Sequence, residues 1–231
     1  MTTNPEVNIL AVENNHGDRL RLQSVYVGNR EELAELHGLT LPERLHCEDN
    51  AVSGKEHIGA ALQEGRPIQI MFIDRDLKYL EVPVLLGEAG TGEYLEDRVD
   101  SAEEISGVRF LSNYMNTTNS SSQTDPLVIA AFYTAEPELV YEDPLFKSSI
   151  IPQTEAGVGP VVFVQRKGSD PVNEIANLFD AVFTAYKMAA LDKTTGEPVS
   201  EGDLTLHRMQ MGTEVKAMHY DPNIFLDRYS S

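Results

Sequence analysis

Four short apolar runs, each closed by a polar or charged residue, constrain this chain more than any other feature. They are Val7 to Val12 (VNILAV), Ile68 to Ile73 (IQIMFI), Leu127 to Tyr133 (LVIAAFY) and Val161 to Val164 (VVFV). Short runs with so little polar alternation suit strands buried on both faces, which in turn require helices on both sides of a sheet. The intervening sequence supplies helical patterns. Asp18 to Val27 spaces Leu20, Leu22, Val25 and Val27 among polar residues, and Glu31 to Leu36 is a second short helical stretch. Ser53 offers an N-cap for a helix through His57 to Leu62 that stops at Gly65, and Ser101 with Glu104 forms a capping box for a helix reaching Tyr114. Asp170 and Pro171 open a long helix over Val172 to Ala190. A further strand is expected near Arg44 to Cys47. Strands alternating with helices predict an α/β domain with a largely parallel sheet.

Some stretches break that rhythm. Lys78 to Asp100 reads as an insertion, with Tyr79 to Leu86 and Tyr94 to Val99 flanking the turn GEAGTG as a β-hairpin or ordered loop. That turn lacks the Gly-Lys-Ser/Thr ending of a phosphate loop. Asn116 to Asp125 is an Asn/Thr/Ser-rich loop, and Pro137, Pro144, Pro152 and Pro160 preclude a long helix between them. The chain thus divides into a domain over residues 1–190 and a C-terminal extension over 191–231. Within the extension, Leu204 to Met211 and Glu214 to Tyr220 predict a hairpin about Gly212.

Charge and cysteine content narrow the function classes. Asp and Glu total 37 against 18 Lys and Arg, a net charge of -19. Such a chain repels phosphate backbones, which argues against nucleic-acid binding. The acids are scattered, which suits solubility or an acidic face for a basic partner better than mimicry of DNA. One cysteine, Cys47, excludes an intramolecular disulfide and fits a reducing compartment. Met1 to Asn8 is polar with no apolar signal region, and the apolar runs are too short for a bilayer, so a cytoplasmic location with no membrane partner is expected. The six histidines, His46 and His57 among them, have no paired ligand spacing, so no zinc site is predicted.

In open parallel α/β sheets, ligands bind outside the carboxyl ends of the strands. Here those ends are Glu13, Asn14, Asp74, Thr134 and Lys167. In that order they resemble a response-regulator receiver domain. Ile9-Leu10-Ala11-Val12-Glu13-Asn14-Asn15 is similar to the opening strand with its acidic pair, and Phe72-Ile73-Asp74 to the strand ending in the phosphoacceptor aspartate. Ala131-Phe132-Tyr133-Thr134-Ala135 resembles the strand ending in Thr/Ser-Ala. Lys167-Gly168-Ser169-Asp170-Pro171 resembles the lysine before the last helix, and Ser106-Gly107-Val108 the start of the third helix. The resemblance covers residues 7–190 with gaps.

It implies a doubly wound, flavodoxin-like sheet of five parallel strands in the order 2-1-3-4-5. It also implies a phosphorelay or adaptor role, with Asp74 accepting the phosphoryl group, Lys167 pairing with it and Thr134 hydrogen-bonding the product. Glu13, Asn14 and Asp74 would face Mg²⁺, held weakly or not at all because Asn14 replaces the second acid. Implied partners are a histidine kinase or phosphotransfer protein and a downstream protein, and a homodimer is compatible with the same reading. Three further departures are Val164 at the position of an aromatic switch residue, Gly168 in place of a proline, and the proline-rich stretch in place of a regular fourth helix. An alternative is a haloacid-dehalogenase-like phosphatase, with Asp74 as nucleophile and Asp76 as general acid.

Overall fold

A computed structural model describes residues 5–77, 106–120, 127–192 and 198–229. Five strands form one parallel sheet: β1 (Ile9–Val12), β2 (His46–Glu48), β3 (Ile70–Ile73), β4 (Ile129–Thr134) and β5 (Val161–Arg166). Their order is 2-1-3-4-5, the flavodoxin-like arrangement that the resemblance implies. Register follows the apolar runs, with Val12 opposite Ile73, Ile73 opposite Phe132 and Thr134 opposite Arg166. Strand order reverses beside β1, so the crevice at the carboxyl ends of β1 and β3 is the topological switch point.

Apart from the partly exposed edge strand β2, the strands are buried, yet their side chains still alternate between two cores. Ile9, Ala11, Ile70, Phe72, Ile129, Ala131 and Phe163 face α1 (His16–His37) and α6 (Pro171–Ala190). Leu10, Val12, Met71, Ile73, Ala130, Phe132 and Val162 face α2 (Ala51–Gln63) and α3 (Gly107–Ser120). On this second side the proline-rich stretch supplies only short pieces: α4 (Pro137–Glu142), a π-helical turn at Phe146–Ile150 and α5 (Ile151–Glu155).

Several boundaries differ from the sequence reading. α1 is one helix of 22 residues where the pattern gave two pieces. Its buried stripe of Leu22, Val25, Tyr26 and Leu33 is diluted by Leu20, Val27 and Leu36 on the solvent side, which hides the period. Asn50, not Ser53, caps α2, accepting from the N–H groups of Val52 (2.8 Å) and Ser53 (2.9 Å). α3 continues to Ser120, into the predicted polar loop. The expected insertion at 78–100 and the Ser101–Glu104 capping box lie outside the described residues. At the two ends of that segment, Asp76 and Ser106 are joined by an antiparallel bridge.

The predicted hairpin in the extension is overturned: one helix, α7 (Glu201–Ala217), spans it and leads to α8 (Pro222–Tyr229). Gly212 is there for packing rather than turning, because a Cβ on it would overlap the Thr154 methyl group of α5. The turn comes later, at His219 and Tyr220, which have φ of 55° and 59°. Met211, Val215, Met218 and Phe225 from these helices join the same core as α1 and α6. Phe225 packs edge-on against Phe163 with ring centroids 5.1 Å apart. The Tyr220 carbonyl accepts from the Val164 N–H at 2.8 Å, satisfying a donor on the edge strand β5. Among the described residues no helix is long and apolar enough to cross a membrane.

Candidate functional site

The carboxyl ends of the strands converge on one ammonium group. Lys167 follows β5, and its backbone N–H is held by the Thr134 carbonyl at 2.7 Å. Its Nζ lies 2.9 Å from Glu13 Oε2, 3.0 Å from Asp18 Oδ2 and 3.3 Å from Asp74 Oδ1. The same ammonium sits 5.3 Å from the centre of the Tyr133 ring, a cation–π contact. Glu13 ends β1 and is 1% exposed, whereas Asp74 ends β3 and is 9% exposed. The neighbouring Arg166 turns away to the rim, donating to the Ala135 carbonyl (3.0 Å) and pairing with Glu138 (2.7 Å).

Asp18 was missed. It enters the pocket from the first turn of α1, three residues after the N-cap Asn15, whose Oδ1 accepts from the Gly17 and Asp18 N–H groups at 2.8 and 3.2 Å. The readable signal was an acid in the first turn of the helix that directly follows a strand-end acid. Arg19 fixes the same loop by donating to the carbonyls of Glu13 (2.7 Å) and Asn14 (3.0 Å).

Three carboxylates share Lys167, and Asp18 is also paired with Arg21 at 2.7 Å, which leaves Glu13 and Asp74 with one ammonium between them. Burial, together with the Asp74 charge, pushes the Glu13 carboxyl up to about 7, although Lys167 opposes the rise. Burial also raises Asp74, with Lys167 again opposing. Burial alone would lower the Lys167 ammonium, but Asp74 and Glu13 outweigh it and raise it.

The remaining predicted residues surround this centre. Thr134 ends β4, is buried, and its Oγ1 accepts from the Glu136 N–H at 3.2 Å. Asn14 is turned outward, donating its side-chain amide to the Asp76 carbonyl at 2.5 Å. The Asp76 carboxylate pairs with Arg75 (2.9 Å) on the exposed rim. Gly168 donates its N–H to Glu174 Oε2 at 2.8 Å, a bond a proline could not make. Gly107 opens α3 against the back of Asp74, where a Cβ would overlap the Asp74 carbonyl oxygen. Only glycine allows that approach.

Glu13 and Asp74 offer the hard oxygens that a small dication such as Mg²⁺ prefers, and the surplus charge favours one. The carboxylates nevertheless gather on Lys167. Among the described residues, the group whose ligand atoms all lie within 4.8 Å of one another is a different set, His46, Glu48 and His57. The donor chemistry therefore fits Mg²⁺, with Glu13 and Asp74 paired to Lys167. No family model matches the chain, and no curated protein matches it.

Proposed function

We propose that the chain is a receiver-like signalling or adaptor module in which Asp74 is the phosphoacceptor and protein contacts carry the output. One observation carries this reading: Lys167 bridges Asp74 and Glu13 at the carboxyl ends of adjacent strands, at the switch point of a 2-1-3-4-5 sheet. A carboxylate attacking a phosphoryl group needs fixed positive charge to offset what develops in the transition state. Lys167 supplies it, and Thr134 at the end of β4 contributes a hydroxyl to the phosphorylated state. Glu13 and Asp74 would hold Mg²⁺, which neutralises phosphoryl oxygens when bound. Asn14 contributes no charge to that ion.

The phosphoryl donor in this proposal is a histidine kinase or phosphotransfer protein, and the setting is the cytoplasm. The net charge of -19 favours protein output over DNA contact.

Intact-mass measurement after incubation with acetyl phosphate and excess Mg²⁺ tests the reading. The expected result is a partial gain of one phosphoryl group that vanishes in Asp74→Asn. No uptake at any Mg²⁺ concentration would leave a pseudo-receiver acting by contacts alone. Repeated phosphate release from an ester, dependent on both Asp76 and Asp74, would replace the proposal with a haloacid-dehalogenase-like phosphatase.

A further inference from the structure

β2 is an edge strand and carries His46 and Glu48 two residues apart, so both side chains leave the same face. Cys47 between them turns the other way, with Sγ 3.5 Å from Gln23 Oε1 on α1. α2 crosses the His46 and Glu48 face and adds His57 from its second turn. The His46 and His57 rings stack with centroids 3.7 Å apart and planes 14° from parallel. His46 Nε2 lies 2.7 Å from Glu48 Oε1, and one ligand atom from each of the three residues falls within 4.8 Å of the others. Spacing along the chain concealed this set, because its members come from a strand and from the helix after it.

We propose that His46, Glu48 and His57 form a binding site for a divalent transition-metal ion, with Zn²⁺ the best match. Two imidazole nitrogens and one carboxylate oxygen are a borderline-soft donor set, which favours Zn²⁺ over Mg²⁺ or Ca²⁺. Three protein ligands leave a fourth tetrahedral position for water or an incoming donor. The His46 side chain is 46% exposed, so that position opens to solvent.

The backbones that carry the ligands are fixed before any ion arrives. Leu10 is registered with His46 and Val12 with Glu48, and the Asn50 cap sets the start of α2. Ion binding then requires only ring rotations that exchange the stacked pair for coordination, the kind of preorganisation a site needs. Among the described residues, no lysine ammonium pairs with these ligands as Lys167 does in the acidic pocket. The Glu48 carbonyl accepts from the Glu13 N–H at 3.0 Å, so an ion here would stiffen the backbone beneath Glu13. The proposal does not depend on phosphorylation of Asp74.

Calorimetric titration of the full chain with Zn²⁺, alongside thermal melts with and without the ion, provides the test. One tight equivalent is expected, with a rise in Tm. His46→Gln and His57→Gln should each weaken binding at least tenfold and abolish the Tm rise, and Asp74→Asn should bind Zn²⁺ like the parent. Melts without Zn²⁺ establish that the variants are folded. Co²⁺ gives a readout independent of any variant: the folded parent chain should develop the visible d–d bands of a low-coordinate nitrogen/oxygen site. Parent-like Zn²⁺ affinity in both histidine variants, loss of binding in Asp74→Asn alone, or absence of those Co²⁺ bands would each overturn the proposal.

Discussion

β5 borders two regions built on opposite principles. Past its carboxyl end, Lys167 gathers Glu13, Asp18 and Asp74 into a pocket with more buried negative charge than positive. Along its outer edge, Val164 gives its N–H to Tyr220, and Phe163 packs against Phe225, so a backbone hydrogen bond and apolar contacts cover the sheet there. Tyr141 continues that seal by stacking on Tyr220 and donating to the His219 carbonyl at 3.1 Å. The edge is arranged for stability, since each polar group named there is satisfied. The pocket keeps an electrostatic imbalance that a folding-only role would not require, and perturbed groups gather at functional sites for that reason. Stability should therefore respond to pH through the pocket and not through the edge.

The largest effect is expected at the edge. Phe225→Ala removes a fully buried ring and should cost about 3–5 kcal/mol in urea denaturation, with the same loss at acid and neutral pH. A loss that varied strongly with pH would dissolve the contrast between the two regions. Lys167→Ala follows. Removing one partner of a buried ionic cluster costs about 3–5 kcal/mol when the other charges remain unpaired, and here Lys167 is partly exposed, so the lower end applies. The cost should shrink at low pH as Glu13 and Asp74 take up protons. An unchanged cost across pH would mean that Lys167 acts through packing alone.

How legible each region was follows from the chemistry that builds it. The strands and their end residues could be read because buried parallel strands are apolar runs with abrupt polar ends, whereas the sheet order came only from the receiver resemblance. Asp18 could not be placed from period alone, since its role comes from the Asn15 cap that aims the first turn of α1 at the pocket. Exposed Leu20, Val27 and Leu36 blurred the helical stripe of α1. Gly212 misled in the extension because glycine serves turns and close packing alike, and only the Thr154 contact separates the two uses. His46 and Glu48 share β2 but His57 comes from α2, so no linear spacing announces the set of three.

Glu13 sharpens the comparison with a defined sign. Its carboxyl releases a proton near 4.5 when unfolded and near 7 when folded, so the native state holds the proton more tightly. The stability this contributes is fully present below about pH 4.5 and is lost as pH rises through about 7, at no more than about 1.4 kcal/mol per pH unit. Asp74 shifts in the same direction and adds to the trend. Glu13→Gln should flatten this part of the profile and leave the chain more stable than the parent near neutral pH. Lys167 keeps Asp18 and Asp74 as partners in that variant. Urea denaturation across the acid-to-neutral range measures it, and an equally steep slope in Glu13→Gln would assign the pH response to other groups.

The smallest effect, and the most informative about the proposed chemistry, belongs to Asn14→Asp. The Asn14 amide now donates to the Asp76 carbonyl beside the pocket. A carboxylate there would set two acceptor oxygens against each other and add negative charge to a site already short of cations. Without a divalent ion, the lost bond and the added repulsion should lower stability by about 1 kcal/mol. With Mg²⁺, the new carboxylate becomes a third charged oxygen donor alongside Glu13 and Asp74, and binding to the native state alone returns stability as RT ln(1 + [L]/Kd). The expected outcome is a crossing: the variant melts below the parent in chelator and gains more than the parent from added Mg²⁺. Calorimetric melts at matched ionic strength, with Ca²⁺-free Mg²⁺ as titrant, separate specific binding from screening. Equal Mg²⁺ responses in the two proteins would mean that position 14 does not face the ion, and the weak metal binding proposed for the parent would need another cause.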